Sequence, residues 1–235
     1  MPDGTAQAPN PTPDPAPASG PAPAADPAST RDRLLAAAER LFLQRGVGQV
    51  SVRAVNAEAG LNPGAVHYHF GSREGLVTAL LGRELLPLWQ DRLEAATLHP
   101  GAPGPEQVRT LVTAVVEPFD ELVRTERGRM LCRLLAQTML AADRPLHGSP
   151  WAGTAPFEVV LGRALPDLTV REIADRWRLL FTTLLETYGR PLATDAASAP
   201  KPWFPELPTV VSFLTAGLTA PQASTGNAAR TPDPR

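Results

Sequence analysis

The residues best suited to chemistry lie between Ser51 and Arg73. Arg53 carries the forked donors that grip a guanine edge or a phosphate. Tyr68, His69 and Arg73 suit hydrogen bonds to phosphate, which set register but carry little base information. Gly64 and Ala65 are small enough to let a helix approach base edges, and the Ala65 methyl can pack on a thymine methyl. Ser51 and Ser72 stand where helices would begin, and helix N-termini attract anions. With Asn62, Pro63 and His67, these residues form one outward-facing set. The pattern is that of a helix-turn-helix whose second helix enters a DNA major groove. Plainer readings compete: Ser51, Asn62 and Ser72 also serve as helix caps, Arg53 also as a solvated charge, and His69 as an ordinary core or surface residue. His67 and His69 are two positions apart and point to different sides of a helix, so they do not share a metal ion. No metal site and no cofactor are expected.

Two short helices must position this set. Ser51 is read as the cap of a helix over 52–59, and Gly60 as the turn. Asn62 is read as the cap of a second helix over 63–69, with Pro63 at its first position, where a missing N–H costs nothing. Val52, Val55, Val66 and Phe70 would pack the pair on Leu41 and Phe42. A preceding helix over 31–45 places Leu34, Ala38, Leu41 and Phe42 on one face; Ser29-x-x-Asp32 would start it and Gly46 end it. Ser72 would cap a long helix over 73–96 with Leu76, Leu80, Leu86, Trp89 and Leu93 along one stripe. Pro87 removes one of its internal hydrogen bonds and should kink it.

Helical spacing continues over 106–124, with Pro118 as another kink, over 128–142 and over 155–164. Thr169-x-x-Glu172 reads as a capping box for a helix to Tyr188, stopped by Gly189 and Pro191. A last helix covers 207–219. No alternating β-pattern competes, so the fold class is all-α, with about nine helices. Residues 1–28 hold nine of the 27 prolines and little that is bulky, so they and residues 221–235 read as disordered tails. The linker 190–205 reads as mobile. The expected division is a helix-turn-helix domain over 29–75 and a helical domain over 76–220. A single cysteine, Cys132, excludes an internal disulfide. Neither a signal peptide nor an apolar run of about 20 residues is evident, so a cytoplasmic protein without membrane contact is expected.

Residues 30–81 resemble the N-terminal DNA-binding domain of the tetracycline-repressor (TetR) family. The resemblance rests on Leu34–Phe42 with Gly46, Ser51-Val52-Arg53, Ala59-Gly60-Leu61, Gly64-Ala65, His69-Phe70 and Ser72 with Leu76. It covers about 50 residues and is specific as a set. Two positions depart from the family pattern: His67 stands where Tyr is usual, and Asn56 where a small apolar Ala is usual. Protonation of His67 would make DNA binding pH-dependent, and a buried Asn56 needs a hydrogen-bond partner.

The resemblance implies a homodimer that binds double-stranded operator DNA and is released by a small-molecule effector held in the second domain. Candidate pocket residues are Phe119, Met130, Gln137, Met139, Trp151, Phe157, Trp177 and Phe181, which suit an apolar or aromatic effector; ordinary core packing is the competing reading. Leu180, Leu184, Val211, Leu214 and Leu218 are the expected dimer contacts, in a four-helix interface. The long helix at 73–96 would be the lever. Dimers of this kind read half-sites about 34–36 Å apart or multiples of that, so a small shift in spacing misaligns one half.

The whole chain has a net charge of −2, so DNA affinity must be local. Residues 31–85 carry seven arginines against five acids, a mild excess of +2. The reading that follows is a ligand-responsive transcriptional regulator, with repression favoured over activation. A helical partner-binding scaffold without DNA binding is the alternative. An enzyme is the weakest reading, because no nucleophile triad, phosphate loop or zinc-protease motif is present.

Overall fold

The computed structural model describes residues 27–98, 103–140, 155–189 and 203–222. Nine α-helices are formed among them: α1 Pro27–Arg45, α2 Val52–Glu58, α3 Ala65–Phe70, α4 Arg73–Leu98, α5 Pro105–Leu122, α6 Glu126–Leu140, α7 Ala155–Ala164, α8 Val170–Tyr188 and α9 Leu207–Thr219. One turn of 3-10 helix, Val47–Gln49, follows α1. The all-α expectation is met, and the boundaries differ by a few residues.

Three differences have local causes. Helix α1 opens at Pro27, so Ser29 lies within its first turn rather than capping it, and Pro27 and Ala28 belong to the helix rather than the tail. Proline is well tolerated there because its missing N–H would have no partner anyway. Helix α3 begins later than the spacing suggested: Gly64 is its N-cap, without any side-chain cap bond, and Asn62 contributes only its backbone carbonyl, to Ala65 N at 3.0 Å. Leu85, rather than Leu86, carries the buried stripe of α4 between Leu80 and Trp89. That helix runs without interruption through Pro87.

The serine and threonine caps behave as their sequence positions suggest. Ser51 Oγ accepts from Ala54 N at 3.2 Å, Ser72 Oγ from Gly75 N at 3.0 Å, and Thr169 Oγ1 from Glu172 N at 3.2 Å. Each satisfies a helix N–H that the first turn leaves open. The Glu172 carboxylate takes Arg176 at 2.7 Å. Arg176 in turn donates to the carbonyls of Leu218, Ala220 and Pro221, closing the C-terminal end of α9 from α8.

Helices α1, α2 and α3 pack on one another and on the first turns of α4. Their core is Leu34, Leu41, Phe42, Val55 and Val66, continuous along α4 with the core of α5, α6, α8 and α9. Helix α6 lies against α8, α5, α4 and α1. At Gly189, just past α8, the chain approaches α6 so closely that a Cβ would sit 2.2 Å from that of Ala136. Gly189 therefore serves close packing, and its negative φ of −94° shows that backbone strain is not the reason. Among the described residues, no helix is long and apolar enough to cross a membrane.

Candidate nucleic-acid interface

The α2–α3 unit is built from its buried side outward. Val55 and Val66 are sealed in the core, with Val52 and Phe70 half-buried against it, as their spacing suggested. The chain reverses at Gly60, where φ is +64°, a conformation costly for any residue with a Cβ. Arg33 on α1 donates to the Ala59 carbonyl at 2.7 Å and so holds the end of α2. Arg31, also on α1, lies over the Phe70 ring at 4.8 Å.

Asn56 supplies what α3 lacks. It is 1% exposed. Its Oδ1 accepts from Val66 N at 3.1 Å and its Nδ2 donates to the Pro63 carbonyl at 2.5 Å. A side chain on α2 thus caps α3 from outside. The sequence indicates that a buried Asn56 needs a partner, but points to Asn62 as the cap. The cap lies ten residues away in sequence and only the fold brings it to Val66.

Ser51, Arg53, Asn62, Pro63, Gly64, His67 and Tyr68 are exposed, and Ala65, His69, Ser72 and Arg73 are half-buried. Tyr68 is the extreme case at 85% exposure, with His69 set edge-on against it at 5.0 Å between ring centres. A large aromatic side chain left in water on a six-residue helix has no role in holding the fold. His67 Nδ1 lies 3.1 Å from the Gly71 carbonyl, where it can donate at the end of α3. The N-terminal end of α3, from Asn62 to Ala65, is free of bulky side chains, as close approach to base edges requires.

Arg73, read as suited to phosphate hydrogen bonds, is engaged within the fold. Its Nη2 donates to Val47 O at 2.7 Å and its Nε to Val50 O at 3.3 Å, and the guanidinium stands 6.0 Å from the centre of the Phe42 ring. It fastens the loop after α1 to the start of α4. Most other arginines of this region are likewise engaged: Arg40 with Glu58, and Arg83 with Asp32, Glu39 and Glu84. Arg53 keeps its donors free, as does Arg45 at the end of α1, which sequence reasoning missed. The local charge excess read from composition therefore overstates what is available to an anion.

Among the expected pocket residues, the described aromatics fall into two stacks. Phe157, Trp177 and Phe181 stack, with centroid spacings of 4.3 Å and 6.5 Å. Phe119 belongs to a second group: it meets Trp89 at 5.1 Å and Tyr188 at 5.5 Å, and Tyr188 stacks on Phe204 at 5.9 Å. Met130 is buried, Met139 half-buried and Gln137 exposed, while Trp151 lies outside the described residues. Tyr188 is buried, and its hydroxyl has no hydrogen-bond partner among the described residues.

The expected dimer contacts are corrected. Leu180, Leu184, Val211, Leu214 and Leu218 are all buried within the chain. They hold α8 and α9 to the core and have no surface left for a second copy. The opposite faces of the same helices present Leu179 and Phe213, each 69% exposed. Helical spacing identified an apolar stripe but not which of two adjacent stripes the other helices would cover.

A short helix packed on α2, with an exposed aromatic, small residues at its start and a free arginine beside it, defines a helix-turn-helix unit of the kind that reads DNA. Residues 34–80 match the family described as bacterial regulatory proteins, tetR family, and this part of the chain is a TetR-family domain. Among curated relatives, the chain is 28% identical over 110 residues to the transcriptional repressor BepR of Brucella suis, a span of 47% of this chain and 51% of that protein. It is 31% identical over 106 residues to the transcriptional regulator TtgR of Pseudomonas putida, 45% of this chain and 49% of that one. The chain thus spans about half the length of these relatives. In fold it is similar to NalD of Pseudomonas aeruginosa, the secondary repressor of the MexAB-OprM multidrug efflux pump. The TM-score is 0.55 at 22% identity, covering 84% of this chain and 99% of that one.

Proposed function

We propose that the chain is a one-component transcriptional repressor that binds a palindromic operator as a homodimer and leaves it when a small molecule binds. The observation that carries the reading is α3 itself: Tyr68 stands in water, the start of the helix is small, and Arg53 is unengaged on the neighbouring helix. The repressor names of BepR and NalD support the direction of regulation. In this reading residues 29–75 are the DNA-reading unit and 76–220 the effector and dimer unit. Ser51, Arg53, Ala65, Tyr68, His69 and Ser72 meet DNA, and Arg73 orients them. The effector is apolar or aromatic, held among α5 to α8 beside the Phe157–Trp177–Phe181 stack. The second copy packs on Leu179 and Phe213. The site of action is the cytoplasm.

Footprinting on DNA flanking the gene tests this. Protection of one palindrome, with affinity that falls steeply as salt rises, is the expected result. Absence of any protected palindrome, with no salt-dependent binding, would leave the scaffold reading in its place.

A further inference from the structure

The ion pairs between the DNA-reading helices and the rest of the chain converge on two arginines, Arg83 and Arg127. Arg127 stands in the first turn of α6. Its Nε pairs with Glu39 on α1 and its Nη2 with Glu84 on α4. Arg83 on α4 braces the same two carboxylates, at 3.6 Å from Glu39 and 2.7 Å from Glu84, and reaches Asp32 of α1 at 3.8 Å. Two arginines and three acids thus join three helices. Glu39 and Glu84 are largely covered, with only 15% and 16% of their side chains exposed. Covered carboxylates hold their partners in fewer geometries than exposed ones do, and a forked guanidinium fixes direction as well as distance.

The mounting of Arg127 is stiff. The next residue, Gly128, lies so close to the end of α5 that a Cβ would fall 1.9 Å from the Leu122 carbonyl oxygen. Thr125 caps the same turn, its Oγ1 accepting from Gly128 N at 2.9 Å. Motion of α6 is therefore passed to the guanidinium rather than absorbed at the α5–α6 turn. Burial alone would raise the pKa of Glu84, but hydrogen bonds from Arg127 and Arg83 outweigh it and hold the carboxyl below its ordinary range. The pairs are thus formed as charged pairs at neutral pH.

We propose that Arg127 is a positioning residue that clamps the DNA-reading unit to α6, so that the placement of α6 sets the orientation in which α3 is offered to DNA. Among the described residues, Arg127 makes no contact with the aromatic groups of the second domain. Its work is orientation rather than stability: Arg127 is half exposed, and Arg83 keeps both carboxylates paired when it is removed. Release of Glu39 from Arg127 leaves α1 joined to α4 through Arg83, and to α6 by packing alone.

The test uses the full chain with spin labels at R45C on α1 and R178C on α8, both exposed positions; Cys132 is buried and stays unlabelled. Labelled protein is diluted in unlabelled protein so that only distances within one chain are read. The expected result for R127Q is a distance distribution at least half again as wide as the parent's, with the melting temperature nearly unchanged. R127K, a point charge that reaches one carboxylate at a time, should fall between the two. E39Q should reproduce R127Q, and R127Q with E39Q should add little further. R127Q should also weaken binding roughly 3- to 10-fold to a duplex selected from a random pool by the parent protein, because two loosened units must be ordered on binding. Equal distribution widths in parent and R127Q would overturn the clamp, as would widening accompanied by general unfolding. The clamp rests on the DNA-regulator reading only for its purpose. If the parent selects no duplex, that reading fails, while the spin-label arm still decides whether the clamp exists.

Discussion

Replacing Asn56 by alanine isolates the link between α2 and the helix that would read DNA. In the native chain Val66 N donates to Asn56 Oδ1 at 3.1 Å in a site closed to water, and Val66 itself is 0% exposed. Removing the acceptor leaves that N–H buried and unpaired, at a cost of about 1–3 kcal/mol. The Pro63 carbonyl loses its donor as well, but Pro63 is exposed and water can replace it. Gly64, the N-cap of α3, has no side chain to take its place. A six-residue helix has almost no stability of its own, so the loss falls on α3 first. About 2 kcal/mol is expected overall, a fall in melting temperature of roughly 4–8 °C for a chain of this size. Amide exchange in α3 should quicken about 30-fold, since 1.4 kcal/mol is a factor of ten. DNA affinity should drop by a similar order. Asn56→Asp keeps an acceptor for Val66 N but sets an oxygen against the Pro63 carbonyl, so it should not rescue. The refuting result is clear: if N56A melts and exchanges like the parent, then α3 tolerates alanine here and the external cap contributes nothing.

Further outcomes follow from the same geometry. Arg73→Ala should cost about 1–3 kcal/mol through the lost bonds to Val47 and Val50, visible in thermal melting without DNA. A residue that only touched phosphate would leave melting unchanged. Phe213→Glu should yield folded monomer by sedimentation, whereas Leu184→Glu, at a buried position, should fail to fold. Burial pushes the Cys132 thiol from an ordinary 9.0 up to about 12, so it should resist alkylation at pH 8 until the chain is unfolded. Burial, followed by the Asp120 and Cys132 charges, likewise lifts Tyr188 from 10.0 to about 12. Both groups hold their protons more tightly when folded. Their contribution is therefore complete below about pH 9 and lost as pH rises toward 12, which alkaline denaturation curves should show.

Much of this architecture can be read from spacing and caps. Ser51, Ser72 and Thr169 begin helices where their sequence positions indicate, because a cap is a local interaction over three residues. The core pair Val55 and Val66 is equally legible from helical period. What was not legible depends on contacts between distant elements. Asn56 caps a helix other than its own, and Arg73 turns inward to carbonyls that precede it by more than twenty residues. On α8, Leu180 and Leu179 are neighbours of the same type, and only the packing of the surrounding helices decides that Leu180 is core and Leu179 is surface.

The central claim is that the exposed face of α3 reads DNA. Its most direct test is titration of the parent and of Tyr68→Ala and Arg53→Ala against a duplex selected by the parent from random sequence, at two salt concentrations. Tyr68 and Arg53 are exposed and outside the core, so both variants should melt within about 0.5 kcal/mol of the parent. Each should bind the duplex at least tenfold more weakly, with R53A also showing a shallower dependence on salt. Unaltered affinity in both, with fold intact, would contradict the assignment of this face to DNA.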